Sequence, residues 1–308
     1  MINIECMSYY HYTSLDALNG ILQPKEFGKK ELCFWATRYD CFEDEEEYRL
    51  GIDCIGRCLS DFEERNHFSK DRRIAFSFKR ELIEGNNNLP FPYVISFTSR
   101  KDNEYMWENY ADHKNGVVIE IKMPQIRDNL LYRLEECIYV KSAKDAKLSE
   151  FIDSMYIDAV CELMLGGKER SLALLKVCPQ MFLQCIAMYL LSFLAPRIKR
   201  NDFYKEEEIR IILSTPPKEY ASFIYNNQVQ IQNIINTLHL NLDVNDLFNM
   251  ISRENIRLRN NKECYYRKLY LPEESLVQIF VLNKDSKIKV ESILQQKGFN
   301  NVKVKVQC

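Results

Sequence analysis

Four groups of residues in this chain have the types and spacing to do chemistry. The first is Glu206-Glu207-Glu208-Ile209-Arg210, inside Tyr204 to Leu213. Read as a strand, it places Glu206, Glu208 and Arg210 on one face and Ile209, Ile211 and Leu213 on the other. Crowded carboxylates raise the pKa of one member unless a cation neutralises them, so the array suits general-base work or hydrogen bonding to a sugar hydroxyl. An exposed strand face with a weak salt bridge has the same spacing. The second group is His11 and Thr13, two apart on a short strand and just before a helix that Ser14 can cap. An imidazole and a hydroxyl on one face can hold ribose hydroxyls and an amide, and a satisfied strand-end histidine has the same pattern. The third is Phe34, Trp35, Arg38 and Tyr39, where aromatics can stack on a flat ring and an arginine can pair with phosphate, or simply fill the core. The fourth is Met106-Trp107-x-x-Tyr110-Ala111, with Trp107 and Tyr110 on one helix face as either core or ligand platform.

The elements that must position these residues are legible in outline. Tyr9 to Thr13 reads as a strand and Leu15 to Leu22 as a helix with Pro24 just beyond it. Glu31 to Thr37 is a second strand, followed by a turn over Tyr39 to Asp44. The acidic run Glu43 to Glu47 suits a helix start, where negative charge is favoured and the side chains are solvated. Residues 50–85 have a charged helical pattern. Tyr93 to Thr98 is a strand, Asn103 to Tyr110 a helix, and His113-Lys114-Asn115-Gly116 a turn into the strand Val117 to Ile121. This reads as a hairpin-like pair of strands joined through a helix.

Leu130 to Val140 is extended in pattern, and a dense apolar helical block follows over 146–166 and 168–197. Residues 218–262, with Asn226-Asn227 and Asn260-Asn261, read as a polar helical insertion. Strands over 265–271, 276–282 and 302–306 surround a helix over 284–297, and the last strand–helix–strand implies a parallel pair. The expectation is a single domain, 1–308, of α+β class: a split, mostly antiparallel sheet with helical insertions at about 50–85, 146–198 and 218–262.

The chain has 308 residues, a net charge of −2, a pI near 6.2 and 46% apolar residues. That balance argues against a general nucleic-acid binder and leaves room for a local basic groove. The 11 cysteines are odd in number and irregularly spaced, and no basic and apolar leader opens the chain, so reduced thiols in a cytoplasm are expected. No Cys-x-x-Cys occurs and the four histidines are far apart, so no metal ligand set is expected. The longest apolar run, 186–196, is too short to cross a bilayer. Walker A, Gly-x-Gly-x-x-Gly and Gly-x-Ser-x-Gly patterns are missing from the sequence.

Two resemblances attach to these residues. Met106-Trp107-x-x-Tyr110-Ala111, Gly116-Val117, Lys199 and Glu206-x-Glu208-x-Arg210 resemble a large bacterial domain-of-unknown-function family. Leu32-Cys33-Phe34, Phe42-Glu43-Asp44 and the final strand–helix–strand match its ends. The long 218–262 segment departs from it, as does Leu282-Asn283, where the family has Gly-Pro. Separately, His11-x-Thr13 and the following helix are similar to the first motif of His-Tyr-Glu class ADP-ribosyltransferases. The paired Glu206 and Glu208 are similar to the carboxylates of toxin-like members, and Ser96-Phe97-Thr98 to a strand motif of another branch.

That second resemblance implies an ADP-ribosyltransferase-like sheet with NAD as substrate. His11 and Thr13 would hold the nicotinamide ribose and Tyr39 would stack on nicotinamide. Glu208, with Glu206 beside it, would orient the ribose and activate a protein or nucleic-acid acceptor. Beside the resemblance, residue type and spacing alone make Phe34, Arg38, Trp107, Tyr110 and Arg210 further candidates for binding the cofactor. A toxin or phage-defence effector is the implied setting. Two other readings stand beside it: a non-enzymatic module binding a nucleotide or a protein, and a nuclease-like hydrolase using Glu206, Glu208 and a divalent metal.

Overall fold

The computed structural model describes residues 7–24, 30–42, 44–65, 67, 92–123, 132–142, 148, 190–213 and 254–307. The architecture is mixed α/β, with an open, mostly antiparallel sheet. Its spine runs β10 (Asn255–Arg259), β11 (Lys262–Pro272), β3 (Lys30–Arg38), β4 (Tyr93–Thr98), β1 (Ser8–Thr13), β5 (Val117–Lys122), β12 (Leu276–Val281) and β13 (Lys303–Val306). The sheet forks at β4. One edge of β4 pairs with β3 at Thr37 and Val94 and with β1 at Tyr10 and Thr98. The other edge pairs along its whole length with β9 (Glu208–Leu213), which carries β6 (Tyr132–Glu136) beyond it. A short β2 (Leu22–Pro24) borders β3, and β7 (Ile138–Val140) and β8 (Ile198–Arg200) form a separate parallel pair.

Local signals explain most of the elements. Ser14 caps α1 (Leu15–Ile21) by accepting from the Ala17 N–H at 3.1 Å, and Leu18 and Ile21 of that helix enter the core. Asn103 caps α3 (Glu104–Tyr110) in the same way, and Asn283 caps α4 (Lys284–Lys297), which Gly298 ends with φ +79°. Strands β12 and β13 are parallel and joined through α4, as the pattern implied. The main apolar core lies on the sheet face that holds Phe34, Phe97, Ile119, Ile211 and Leu269, beneath α1 and α4.

Three expectations need correction. Strands β4 and β5 do not pair with each other, because β1 inserts between them. The turn after α3 still forms, and Gly116 is obligatory there. A Cβ on it would stand 2.2 Å from the Thr13 carbonyl oxygen. Residues 255–262 are not helical: Asn260 and Asn261, with φ of +52° and +60°, make the tight turn of the β10–β11 hairpin. The strand expected over 204–213 begins only at Glu208, since Asn201–Glu206 is a 3-10 helix. Helix α2 (Glu45–Arg65) fills the front of the first expected insertion. The rest of that insertion, and most of the 146–198 and 218–262 segments, lie outside the described residues.

Candidate active site

Glu207 has a left-handed backbone, φ +45° and ψ +49°, and this single residue joins the 3-10 helix to β9. The bend sends Glu206 and Glu208 toward one point instead of spacing them along a strand. There they meet Lys199 of β8. Its Nζ donates to Glu206 Oε2 at 2.5 Å and to Glu208 Oε2 at 2.7 Å, and lies 3.9 Å from Glu47 Oε2. Arg210 closes the ring. Its Nε donates to Glu208 Oε1 at 2.8 Å, and its Nη2 donates to Glu47 Oε1 at 2.5 Å and Glu208 Oε2 at 3.0 Å. Its Nη1 donates to the Pro196 carbonyl.

All five charged residues are buried, so three carboxylates stand against two cations in a dry site. One negative charge is left uncompensated when every group is ionised. Glu206 is where that surplus shows. Burial pushes its carboxyl up and Glu208 adds to this, against the pull of Lys199. Burial also works against the Glu208 carboxylate, but Arg210 and Lys199 together outweigh it and hold its pKa well below the usual range. Desolvation pushes up the thiol of the half-buried Cys137. The Tyr139 hydroxyl accepts from the Glu208 backbone N–H at 2.8 Å.

The scaffold around this ring is built by close approach. Tyr39 is fully buried, its hydroxyl 2.8 Å from the Ala195 carbonyl oxygen and 3.0 Å from that of Glu47. It thereby ties the start of α2 to the segment before β8. Gly51 allows the contact, since a Cβ there would lie 2.7 Å from the Ala195 carbonyl oxygen. Asp44 accepts from the Glu46 N–H at 3.1 Å and from Arg200 at 2.6 Å, which fixes the helix start. Tyr110 links the ring to the outside. It is 43% exposed, and its hydroxyl donates to Glu206 Oε1 at 2.7 Å.

The structure therefore brings together Glu206, Glu208, Arg210 and Tyr110. It does not bring His11 to them. Tyr10 pairs with Thr98 and Thr98 with Glu208, so Tyr10 shares the Glu208 face and His11 points to the other. On that face the His11 ring packs against Phe34 and Phe97, with centroids at 5.3 and 5.4 Å. Its Nδ1 lies 2.9 Å from the Ser96 carbonyl oxygen. Burial lowers its pKa, against the opposing effect of that carbonyl. Thr13 is buried on the His11 side of the sheet, and Phe34 is core.

The remaining candidates scatter. Arg38 is engaged by Asp40 at 2.6 and 2.9 Å and lies over the Tyr265 ring. Trp107 is buried edge-on against Tyr12, and its Nε1–H donates to the Lys101 carbonyl. Trp107 and Tyr110 thus diverge, one into the core and one to the site.

Glu47, Lys199, Tyr139 and Cys137 were not among the expected site residues. The run Glu43 to Glu47 reads as a solvated helix start, yet Glu47 is buried. Helix phasing held the signal: Glu47, Gly51, Cys54, Ile55 and Cys58 recur at four- and three-residue steps, and all are buried.

No curated protein and no solved structure matches this chain. The similarity to ADP-ribosyltransferases gains no support from these comparisons. The resemblance to a family of unknown function does, over part of the chain. Residues 106–211, from Met106 through Tyr110 and Lys199 to Glu206, Glu208 and Arg210, match the family described as Protein of unknown function (DUF2971).

Proposed function

We propose that this protein cleaves an N-glycosidic bond of a nucleotide, with NAD as the probe substrate and Glu206 as the working carboxylate. The observation that carries the reading is the surplus negative charge of the buried ring, presented to the surface at Glu206 through Tyr110. Such a reaction develops positive charge on the ribose as the bond to nicotinamide breaks. The bonding pair leaves with the neutral base. A fixed, desolvated excess of carboxylate stabilises that centre more than water would. The elevated pKa of Glu206 also suits it to take the proton of an attacking hydroxyl as the new C–O bond forms. Glu208, held ionised by Arg210 and Lys199, supplies fixed charge. In this reading Tyr110 swings aside to admit the ribose, and His11, Thr13 and Tyr39 take no part.

Incubation with NAD is expected to release nicotinamide, and Glu206→Gln is expected to abolish the release. Equal turnover by the variant, or no release by the wild type, overturns the reading.

One observation favours a non-enzymatic module instead. Each carboxylate oxygen of Glu206 and Glu208 already has a donor, as a purely structural network requires. A metal-dependent hydrolase finds less support. The Lys199 ammonium occupies the point between Glu206 and Glu208 that a divalent ion would need, and no metal-binding cluster occurs among the described residues.

A further inference from the structure

Trp35 is the one member of the expected stacking group that faces solvent, at 45% exposure. It stacks on Tyr266, with ring centroids 4.5 Å apart and an interplanar angle of 22°. The Arg257 guanidinium lies 5.4 Å from the Trp35 ring and 5.6 Å from that of Tyr266. Its Nη2 donates to Thr37 Oγ1 at 3.2 Å, while its buried Nε has no hydrogen-bond partner among the described residues. Lys268, opposite Trp35 in the sheet, brings its ammonium to 6.0 Å from the indole.

The register extends this cluster into a surface. Residues 255–272 hold five cations, Arg257, Arg259, Lys262, Arg267 and Lys268, against one acid, Glu263, in a chain that is net negative. Arg257 pairs with Cys264, Arg259 with Lys262, Thr37 with Tyr266 and Trp35 with Lys268. Partners across a ladder share a face, so four of the five cations stand on the side of Trp35 and Tyr266. Glu263 pairs with Leu258 and faces the other way. Glu254 is likewise drawn off, to Tyr93 and Arg38. Among the described residues of these three strands, the acid on the Trp35 face is Glu31, opposite Pro272 at its far end.

We propose that this face binds single-stranded nucleic acid, with a base stacked on Trp35 and the phosphates along Arg257, Arg259 and Lys262. An exposed aromatic beside a row of cations on a sheet surface is the arrangement that holds splayed bases and their backbone. The inference is independent of the chemistry at Glu206.

The chain contains only two tryptophans, and Trp107 is buried at 3% exposure, so a Trp107→Phe background isolates the signal of Trp35. A short labelled oligothymidylate or oligouridylate is titrated by anisotropy and by Trp35 fluorescence. The expected results are quenching on binding and a loss of roughly tenfold or more in affinity for Trp35→Ala. Lys262→Glu, an exposed change at the hairpin turn, is expected to weaken binding and to flatten the log–log salt slope by about 0.7 per lost phosphate contact. The proposal is overturned by absence of binding at low salt, by unchanged affinity in both variants, or by equal affinity for a duplex of the same sequence. Binding to anionic vesicles without binding to the oligonucleotides also overturns it.

Discussion

Lys199→Met removes the cation that two buried carboxylates share. The Nζ stands 2.5 Å from Glu206 and 2.7 Å from Glu208, and both acids remain buried after the change. At an effective dielectric of about 20, each attraction is worth about 6 kcal/mol. Against this stands the desolvation of the ammonium itself, several kcal/mol. The net loss on breaking such a site is about 3–5 kcal/mol, because the carboxylates stay dry and lose their partner. Urea denaturation at neutral pH is the assay, with the shift read at unchanged slope. The pH dependence has a definite sign. Without Lys199, the folded-state pKa of Glu206, already raised, goes higher still, so the folded protein takes up a proton that the unfolded chain does not hold. The deficit of the variant therefore shrinks as pH falls toward the ordinary carboxylate range. A loss under about 1 kcal/mol, or a deficit indifferent to pH, refutes the reasoning.

Other substitutions separate the parts of the site. Glu208 is held ionised by Arg210 and Lys199, so its contribution is present above the ordinary carboxylate pKa and is lost as pH falls below it. The stability gap between wild type and Glu208→Gln should narrow in acid, and a gap that widens there contradicts the assignment. Tyr39→Phe removes a hydroxyl bonded between the Ala195 and Glu47 carbonyls, and chemical denaturation should show a loss of about 1–3 kcal/mol. The same variant should keep nicotinamide release, because the Tyr39 ring is fully buried and takes no part in the reaction. Gly116→Ala drives a Cβ to 2.2 Å from the Thr13 carbonyl oxygen, and thermal unfolding should report a loss of about 1–3 kcal/mol. An unchanged melting temperature means that the turn has another low-energy path.

Local patterns were readable wherever a short segment decides its own structure. Ser14, Asn103 and Asn283 announce their helices because a cap needs only its own turn. Strands β4 and β5 were equally plain, yet their pairing was not, because β1 comes from a distant part of the chain to lie between them. The Asn260-Asn261 turn was masked by the polar stretch before it, although an Asn pair with left-handed backbone is a hairpin signal in its own right.

The site shows the same division. Glu206 and Glu208 stood out by spacing, but they converge for a different reason: the left-handed Glu207 and the ammonium of Lys199. Glu47 was hidden in a run of identical side chains, and only its phase with Gly51 and Ile55 distinguishes it. The sequence neighbours of His11 fit a motif, but a motif does not set which face of the sheet a side chain takes. The sheet register, which pairs Tyr10 and not His11 with Thr98, sends its side chain to the opposite face from Glu208.

The pH–rate profile of nicotinamide release from NAD bears most directly on the role of Glu206. If Glu206 works as the ionised group, release by the wild type rises with pH through a pKa raised from the ordinary glutamate value by burial. Glu206→Gln removes both the rate and the rise, while His11→Ala leaves the profile in place. A profile lost with His11 and retained without Glu206 contradicts the account.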